Sequence, residues 1–465
     1  MELTVLCKVV DNYGDIGFVY RLCSALSELD RSLQLRLVVS DLAAFQSMNR
    51  QIDAHCAVQE VDAPAAADNS NRTTGTGVTS RASAAHTENA LHAPSARWQV
   101  FDWNAADVCT RAFSENPPSI ILECFQCGRP DWLDALLFGD RARGIPALAN
   151  EHHIVHILNI DYLTAEPYAD DFHCLKSGTR SLFVKKVNFM PGFTPKTAGL
   201  TLDSAFCASR ARRTLPKAVQ ALVNAAYTAD RTLHTADSAS AASPTTQCAN
   251  HASATDNVPQ RPFYVPIFSY ERDFTPIVQA LTRFQATRRA TDKRFSVCVL
   301  VAAGKSAQPF FDAWNAAGKP FTAVALPFLA QEDWDAVLCA GDWNLVRGED
   351  SLSRACLAGA PFLWHAYPQE DEYQLVKVQA LLDRLRAYLS PDAYALVCDA
   401  WLSYNRMATA GAEAFSTDRF YSLLTRSDEL TAAFSAFSSA LIANGNFAAH
   451  LLSYLDCKKY AASVQ

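Results

Sequence analysis

No apolar run in this 465-residue chain reaches the ~18 residues needed to cross a bilayer, so no membrane span is expected. The N-terminal residues lack the basic stretch of a secretory signal, which points to a cytoplasmic protein. Positive charge is not in surplus: 41 Lys and Arg against 48 Asp and Glu leave a net −7. Non-specific nucleic-acid binding wants the opposite, a basic face, whereas a basic protein partner is compatible. Cys124-x-x-Cys127 has no second pair and no His at ligand spacing, so no zinc site is read there. The 14 cysteines are scattered, several inside apolar runs such as Phe295–Leu300, which suits buried free thiols in a reducing compartment. No internal repeat is found. What is present is a chain 49% hydrophobic and long enough for two or three domains with large cores.

The first stretch that carries chemistry spans residues 7–17. Leu3 to Val10 is apolar, valine-rich and of strand length, and apolar residues at 18, 19, 22, 25, 26 and 29 predict a helix. Between them lie Asp11, Asn12, Tyr13, Gly14, Asp15, Ile16 and Gly17. In open α/β sheets ligands bind outside the carboxyl ends of strands. Asp11 and Asp15 therefore sit where such a fold puts its chemistry. Gly14 and Gly17 would let backbone approach a ligand or take positive φ. The plainer reading is an ordinary strand-to-helix turn with Asp15 as N-cap. Spacing alone does not separate the two.

Arg347-Gly348-Glu349-Asp350-Ser351 follows a strand-like run, Trp343–Val346, and precedes the helical pattern Leu352–Leu357. A helix N-terminus presents unpaired N–H groups and a partial positive charge, a ready diphosphate site. Arg347 can neutralise phosphate and Ser351 can donate a hydroxyl. Glu349 and Asp350 would repel phosphate, so they suit sugar or ribose hydroxyls. The competing reading is a helix capped by Asp350 or Ser351, with Glu349 in a surface ion pair. Phe268, Tyr270, Phe328 and Trp334 border strand ends or helix starts, and with Gln331 they could form a nucleobase wall; core packing explains any one of them equally. His152, His153 and His365 have no triad or zinc spacing and receive no catalytic role. Tyr367-Pro368-Gln369-Glu370 either lines a site or keeps a backbone shape.

Strands alternate with helices throughout, which implies parallel sheets covered by helices. Two tracts, about 63–97 and 228–260, are rich in Ala, Ser and Thr and read as disordered insertions. A long helical run is expected from 428 to 455. The division expected is a first domain over 1–200, a second over 201–445, and a C-terminal helix, 446–465, returning to the first.

The segment Cys7–Gly17 resembles the N-terminal signature of the protein-arginine rhamnosyltransferases of bacterial elongation factor P, the EarP family. Arg347–Ser351 with Arg354-Ala355, Ala358-Gly359, Pro361-Phe362, Trp364-His365 and Tyr367–Glu370 resembles that family's C-terminal signature. Phe189-Met190-Pro191-Gly192-Phe193-Thr194 with Lys196-Thr197 is also similar to it, and the three blocks stand in the family's order. The resemblance implies a GT-B glycosyltransferase: two Rossmann-like domains facing across a cleft. It implies inverting transfer of rhamnose from dTDP-β-L-rhamnose to an arginine of elongation factor P, activating that factor for rescue of stalled ribosomes. The second domain would bind the donor, with Phe268, Tyr270, Phe328 and Gln331 at nucleotide positions and Trp334 where the family more often has another aromatic. The first would carry Asp15 as general base and Asp11 as its orienting partner, or the reverse. No clustered acidic motif such as Asp-x-Asp is read, so no metal or other cofactor is expected. Two other readings stay open: a glycosyltransferase for a small-molecule or lipid acceptor, and a nucleotide-binding protein without turnover. Asp11 and Asp15 argue against the latter, and the lack of a basic amphipathic helix argues against a membrane-linked acceptor.

Overall fold

Among the described residues of the computed structural model, thirteen strands form two sheets, and the order of each explains where chemistry belongs. The structure describes residues 1–10, 13–64, 96–139, 153–239, 261–407 and 414–463. The first sheet holds β1 (Glu2–Cys7), β2 (Gln34–Val39), β3 (Val58–Asp62), β4 (Arg97–Asp102), β5 (Ile120–Cys124), β6 (Val155–Ile160), β7 (Lys176–Ser177) and β8 (Val184–Asn188). They run in the order β3-β4-β2-β1-β5-β6-β8-β7. All are parallel except the edge strands β3 and β7. Val5 and Leu6 on β1, like Ile121 and Leu122 on β5, are fully buried, so both faces of the central strands lie under cover. That is why these strands read as unbroken apolar runs. The second sheet holds β9 (Phe263–Ile267), β10 (Val297–Val301), β11 (Thr322–Ala325), β12 (Asn344–Arg347) and β13 (Phe362–His365), in the order β11-β10-β9-β12-β13, all parallel. Both orders step outward from a first central strand and then reverse, the doubly wound arrangement of nucleotide-binding folds. Two Rossmann-like units in one chain are the make-up of a GT-B glycosyltransferase.

The helices used below are α1 (Tyr13–Leu29), α2 (Lys217–Ala239), α3 (Gln331–Ala340), α4 (Gly348–Ala358), α5 (Gln374–Leu385), α6 (Pro391–Asn405), α7 (Ser427–Ala443) and α8 (Phe447–Ser463). Residues 228–239, read from sequence as the start of a polar insertion, instead continue α2. Once a helix is nucleated, each further residue adds a hydrogen bond, and the Ala, Arg and Leu of this stretch favour extension. The rest of that tract, 240–260, and most of the first, 65–95, lie outside the described residues.

The first unit comprises Met1–Leu163, Tyr168–Cys207 and the chain from Asn444 onward; the second comprises Thr164–Pro167 and Ala208–Ala443. The helical run expected from 428 to 455 is two helices, α7 and α8, broken at residues 444–446. Gly445 has φ 97°, and a Cβ there would lie 2.6 Å from the His450 ring, so the break requires glycine. Asn446 then exchanges hydrogen bonds with Leu202, its Nδ2 donating to the carbonyl at 2.8 Å and its Oδ1 accepting the N–H at 3.2 Å. Beyond it Phe447, Ala448, Leu451 and Leu455 of α8 join Ile16, Val19, Leu22 and Leu26 of α1 in one buried cluster.

Candidate functional site

In the first unit the strand order reverses between β1 and β5. Asp15 stands at that point, in the first turn of α1 and only 2% exposed. Its Oδ2 accepts the Val10 N–H at 2.8 Å, and its Oδ1 accepts the Tyr162 hydroxyl at 3.2 Å. Because α1 begins at Tyr13, Asp15 is the third helical residue and not the N-cap. It reaches back past the helix start as a capping-box acid does. Gly14 and Gly17 are helical, so they do not form the loop that their spacing suggested. A carboxylate in the first turn complements the helix dipole and helps to draw the helix back over them. Asp11 and Asn12 lie outside the described residues, as does the side chain of Tyr13.

Sequence reasoning missed three members of this cluster. Phe125, just past β5, stacks on Tyr162, just past β6, with centroids 4.5 Å apart and planes at 20°. Phe18, one turn along α1 from Asp15, meets Phe125 edge-on at 5.1 Å. The nearby thiols are poor nucleophiles. Burial pushes Cys7 and Cys124 well up, and pushes Cys127 up to about 11. A thiolate, not a thiol, is the reactive form.

In the second unit the order reverses between β9 and β12. The residues leaving β9 are Phe268, Ser269 and Tyr270, and β12 ends on Arg347. The structure brings these together: the Arg347 guanidinium carbon lies 4.5 Å from the Phe268 ring centroid and 4.7 Å from that of Tyr270. Two aromatic faces thus fix a planar cation at the strand end, worth more than either alone where water is partly excluded. Gly348 follows with φ 61°, which turns the chain directly from β12 into α4. Trp364 Nε1 donates to the Gly348 carbonyl at 2.9 Å and fixes that turn. No side chain caps α4, so neither Asp350 nor Ser351 takes the N-cap place, which Arg347 occupies. Ser351 is buried, and Glu349 Oε1 lies 3.6 Å from Lys377 Nζ of α5. Trp334 of α3 packs edge-on to Phe268 at 5.6 Å. Its Nε1 is buried with no hydrogen-bond partner among the described residues. Gln331 opens α3, and Phe328, 54% exposed, lies on the loop leaving β11 at the same end of the sheet.

His365 ends β13 beneath this cluster. Its Nδ1 lies 2.9 Å from Ser269 Oγ, which is 3.1 Å from Tyr404 Oη of α6, and the Tyr270 ring meets the imidazole edge-on. Burial, reinforced by the charges of Arg272 and Arg347, lowers its pKa to about 3. It is therefore neutral and structural at neutral pH. The unfolded chain takes up a proton near pH 6.5 that the folded chain refuses, so stability is full above that pH and falls as pH drops toward 3. Between pH 8 and 5 the loss is about 2 kcal/mol, the slope reaching roughly 1.36 kcal/mol per unit below the unfolded pKa. Denaturant unfolding at the two pH values should show this slope, and His365→Gln should flatten it. Equal slopes in both proteins would place the pH dependence elsewhere.

Contrary to the expectation of no such motif, the chain holds an Asp-x-Asp triplet, Asp333-Trp334-Asp335. Asp335 is buried with its Oδ2 3.7 Å from Arg354 Nε, a link between α3 and α4, while Asp333 is exposed. Among the described residues no group of His, Cys, Asp and Glu is arranged to hold a metal ion, and no helix is long and apolar enough to cross a membrane. The third sequence block opens on core residues. Phe189 and Met190 are buried, and the Phe189 ring packs on Phe447 and Tyr454 of α8.

Comparison with known proteins covers nearly the whole chain. Residues 3–456 match the family model described as elongation factor P (EF-P) rhamnosyltransferase EarP. The protein-arginine rhamnosyltransferase of Pseudomonas putida is 28% identical over 415 residues, 86% of each chain. That of Shewanella oneidensis is 28% identical over 429 residues, 88% of this chain and 86% of its own. A solved structure, described as the structural basis for EarP-mediated arginine glycosylation of EF-P, superposes with a TM-score of 0.49 at 20% identity, covering 98% of both chains.

Proposed function

From the premise that this chain belongs to the EarP family of elongation factor P rhamnosyltransferases, we propose that its two switch points divide the reaction between them. The second unit takes dTDP-β-L-rhamnose and the first takes one arginine of elongation factor P. A guanidinium nitrogen attacks C1 of the rhamnose from the face opposite the leaving group. The C1–O bond to the diphosphate breaks, the configuration at C1 inverts, and dTDP departs. An arginine side chain stays protonated in water, with a pKa above ~12, and is a poor nucleophile. Asp15 orients it and takes the proton as the C–N bond forms. Asp11, four residues earlier, is its second carboxylate.

The observation that carries this reading is the Arg347 guanidinium clamped by Phe268 and Tyr270 at the mouth of α4. Arginine and helix N-terminus together give the departing diphosphate two sources of positive potential. Glu349 and Asp350 in the first turn of α4 suit sugar hydroxyls. Phe268, Trp334, Phe328 and Gln331 supply a stacking wall and polar groups for the thymine, and the orphan Trp334 N–H suits a base carbonyl. The test is intact mass of elongation factor P after incubation with the protein and dTDP-rhamnose in the presence of a chelator. One deoxyhexose on one arginine is the expected product. No mass change at saturating donor overturns the reading.

A further inference from the structure

We infer that Tyr162 is a positioning residue: its hydroxyl, held in place by the ring of Phe125, aims the Asp15 carboxylate at the acceptor nitrogen. The inference rests on the reading of Asp15 as base. A carboxylate held at one oxygen can still rotate about its terminal bond. Asp15 is held at both, by the Val10 N–H on Oδ2 and the Tyr162 hydroxyl on Oδ1, and two anchors fix its plane. The second anchor is itself constrained from several sides. Phe125 and Gln126 have φ of 59° and 52° without being glycine, and Gly128 follows at 70°. Consecutive left-handed residues of this kind persist only where surrounding contacts enforce them, and they gather at functional sites. Here the enforcing contacts are visible. The Phe125 N–H donates to the Ile160 carbonyl at 2.6 Å. Gln126 Nε2 donates to Asp161 Oδ2 at 2.7 Å, and the Tyr162 N–H to Asp161 Oδ1 at 2.8 Å. The turn after β5 is thus laced to the turn after β6. Phe18, on the same helix as Asp15, closes the loop against Phe125. The result is a ring running Asp15, Phe18, Phe125, Tyr162 and back to Asp15, which joins the carboxyl ends of three strands. Tyr162 keeps 36% of its surface exposed, so this ring borders solvent where a protein-borne arginine can reach it.

The test uses the full-length enzyme with elongation factor P and dTDP-rhamnose. Tyr162→Phe keeps the ring on Phe125 and removes only the hydroxyl. The expected result is a kcat lower by roughly tenfold or more, the value of a hydrogen bond to a charged group. KM for the donor and the melting temperature should stay unchanged. The decisive measurement is the double variant. If Tyr162 acts through Asp15, adding Tyr162→Phe to Asp15→Asn should change the residual single-turnover rate by no more than about twofold. Fully multiplying effects would overturn the inference, as would a wild-type kcat for Tyr162→Phe. Phe125→Leu, which keeps the hydroxyl but removes its support, should show the same coupling to Asp15. Asp15→Asn with near-normal turnover would instead overturn the base assignment itself, and the two failures are thereby told apart.

Discussion

Asp15→Asn should bind dTDP-rhamnose like the wild type while arginine rhamnosylation falls by roughly 10²–10⁴, the range for loss of a general base. Both halves of the expectation follow from position. Asp15 lies in the first unit, whereas the residues proposed to hold the donor lie in the second, so calorimetric donor affinity has no reason to change. Asparagine retains an oxygen that can accept the Val10 N–H, so the start of α1 should survive and the melting temperature should hold. What it loses is the negative charge and the basicity. A purely capping Asp15 would tolerate the change, because asparagine serves helix starts as well as aspartate does. Turnover and donor affinity measured on the same variant therefore separate the two roles. Asp11→Asn should follow the same pattern more mildly if that residue only orients the guanidinium.

Arg347→Ala should weaken dTDP binding by about 1.5–3 kcal/mol, the value of a hydrogen bond to a charged group, or roughly 10- to 150-fold in affinity. Arg347→Lys should recover only part of this. Lysine keeps the charge but not the planar fork that lies between Phe268 and Tyr270. Phe268→Ala, which removes one wall of that clamp and the partner of Trp334, should move affinity in the same direction. Calorimetry with and without chelator is the check. An unaltered affinity in Arg347→Ala would remove the diphosphate from the mouth of α4, and a loss on chelation would require a metal.

How much of this could be read from the residues alone depended on how local the signal was. The buried central strands announced themselves as apolar runs, and β1 and β12 lie where their patterns put them. Arg347 and Gly348 were legible because a strand, a glycine and a helix follow one another in ten residues. The clamp on Arg347 was not, since Phe268 and Tyr270 meet it only through the pairing of β9 with β12. The Phe125–Tyr162 pair was hidden for a similar reason, and for another. A left-handed turn usually betrays itself by glycine or asparagine, and this one is built from phenylalanine and glutamine. Gly14 and Gly17 misled in the opposite sense: glycine suggested a loop where the backbone is helical.

The placement of α8 has a consequence for synthesis on the ribosome. Domains ordinarily fold from the N-terminus as they emerge. Here the first unit cannot close its core when residue 207 has been made, because Phe447, Leu451 and Leu455 are still missing from it. Until they arrive, Ile16, Val19 and Leu22 lack the part of their apolar cover that α8 supplies. The second unit, Thr164–Pro167 and Ala208–Ala443, has all of its own residues in hand earlier and can reach its native state first. On the proposed division of roles, the unit that carries Asp15 is completed only after the unit that carries Arg347, and a chain ending just after α7 should capture nucleotide but transfer nothing.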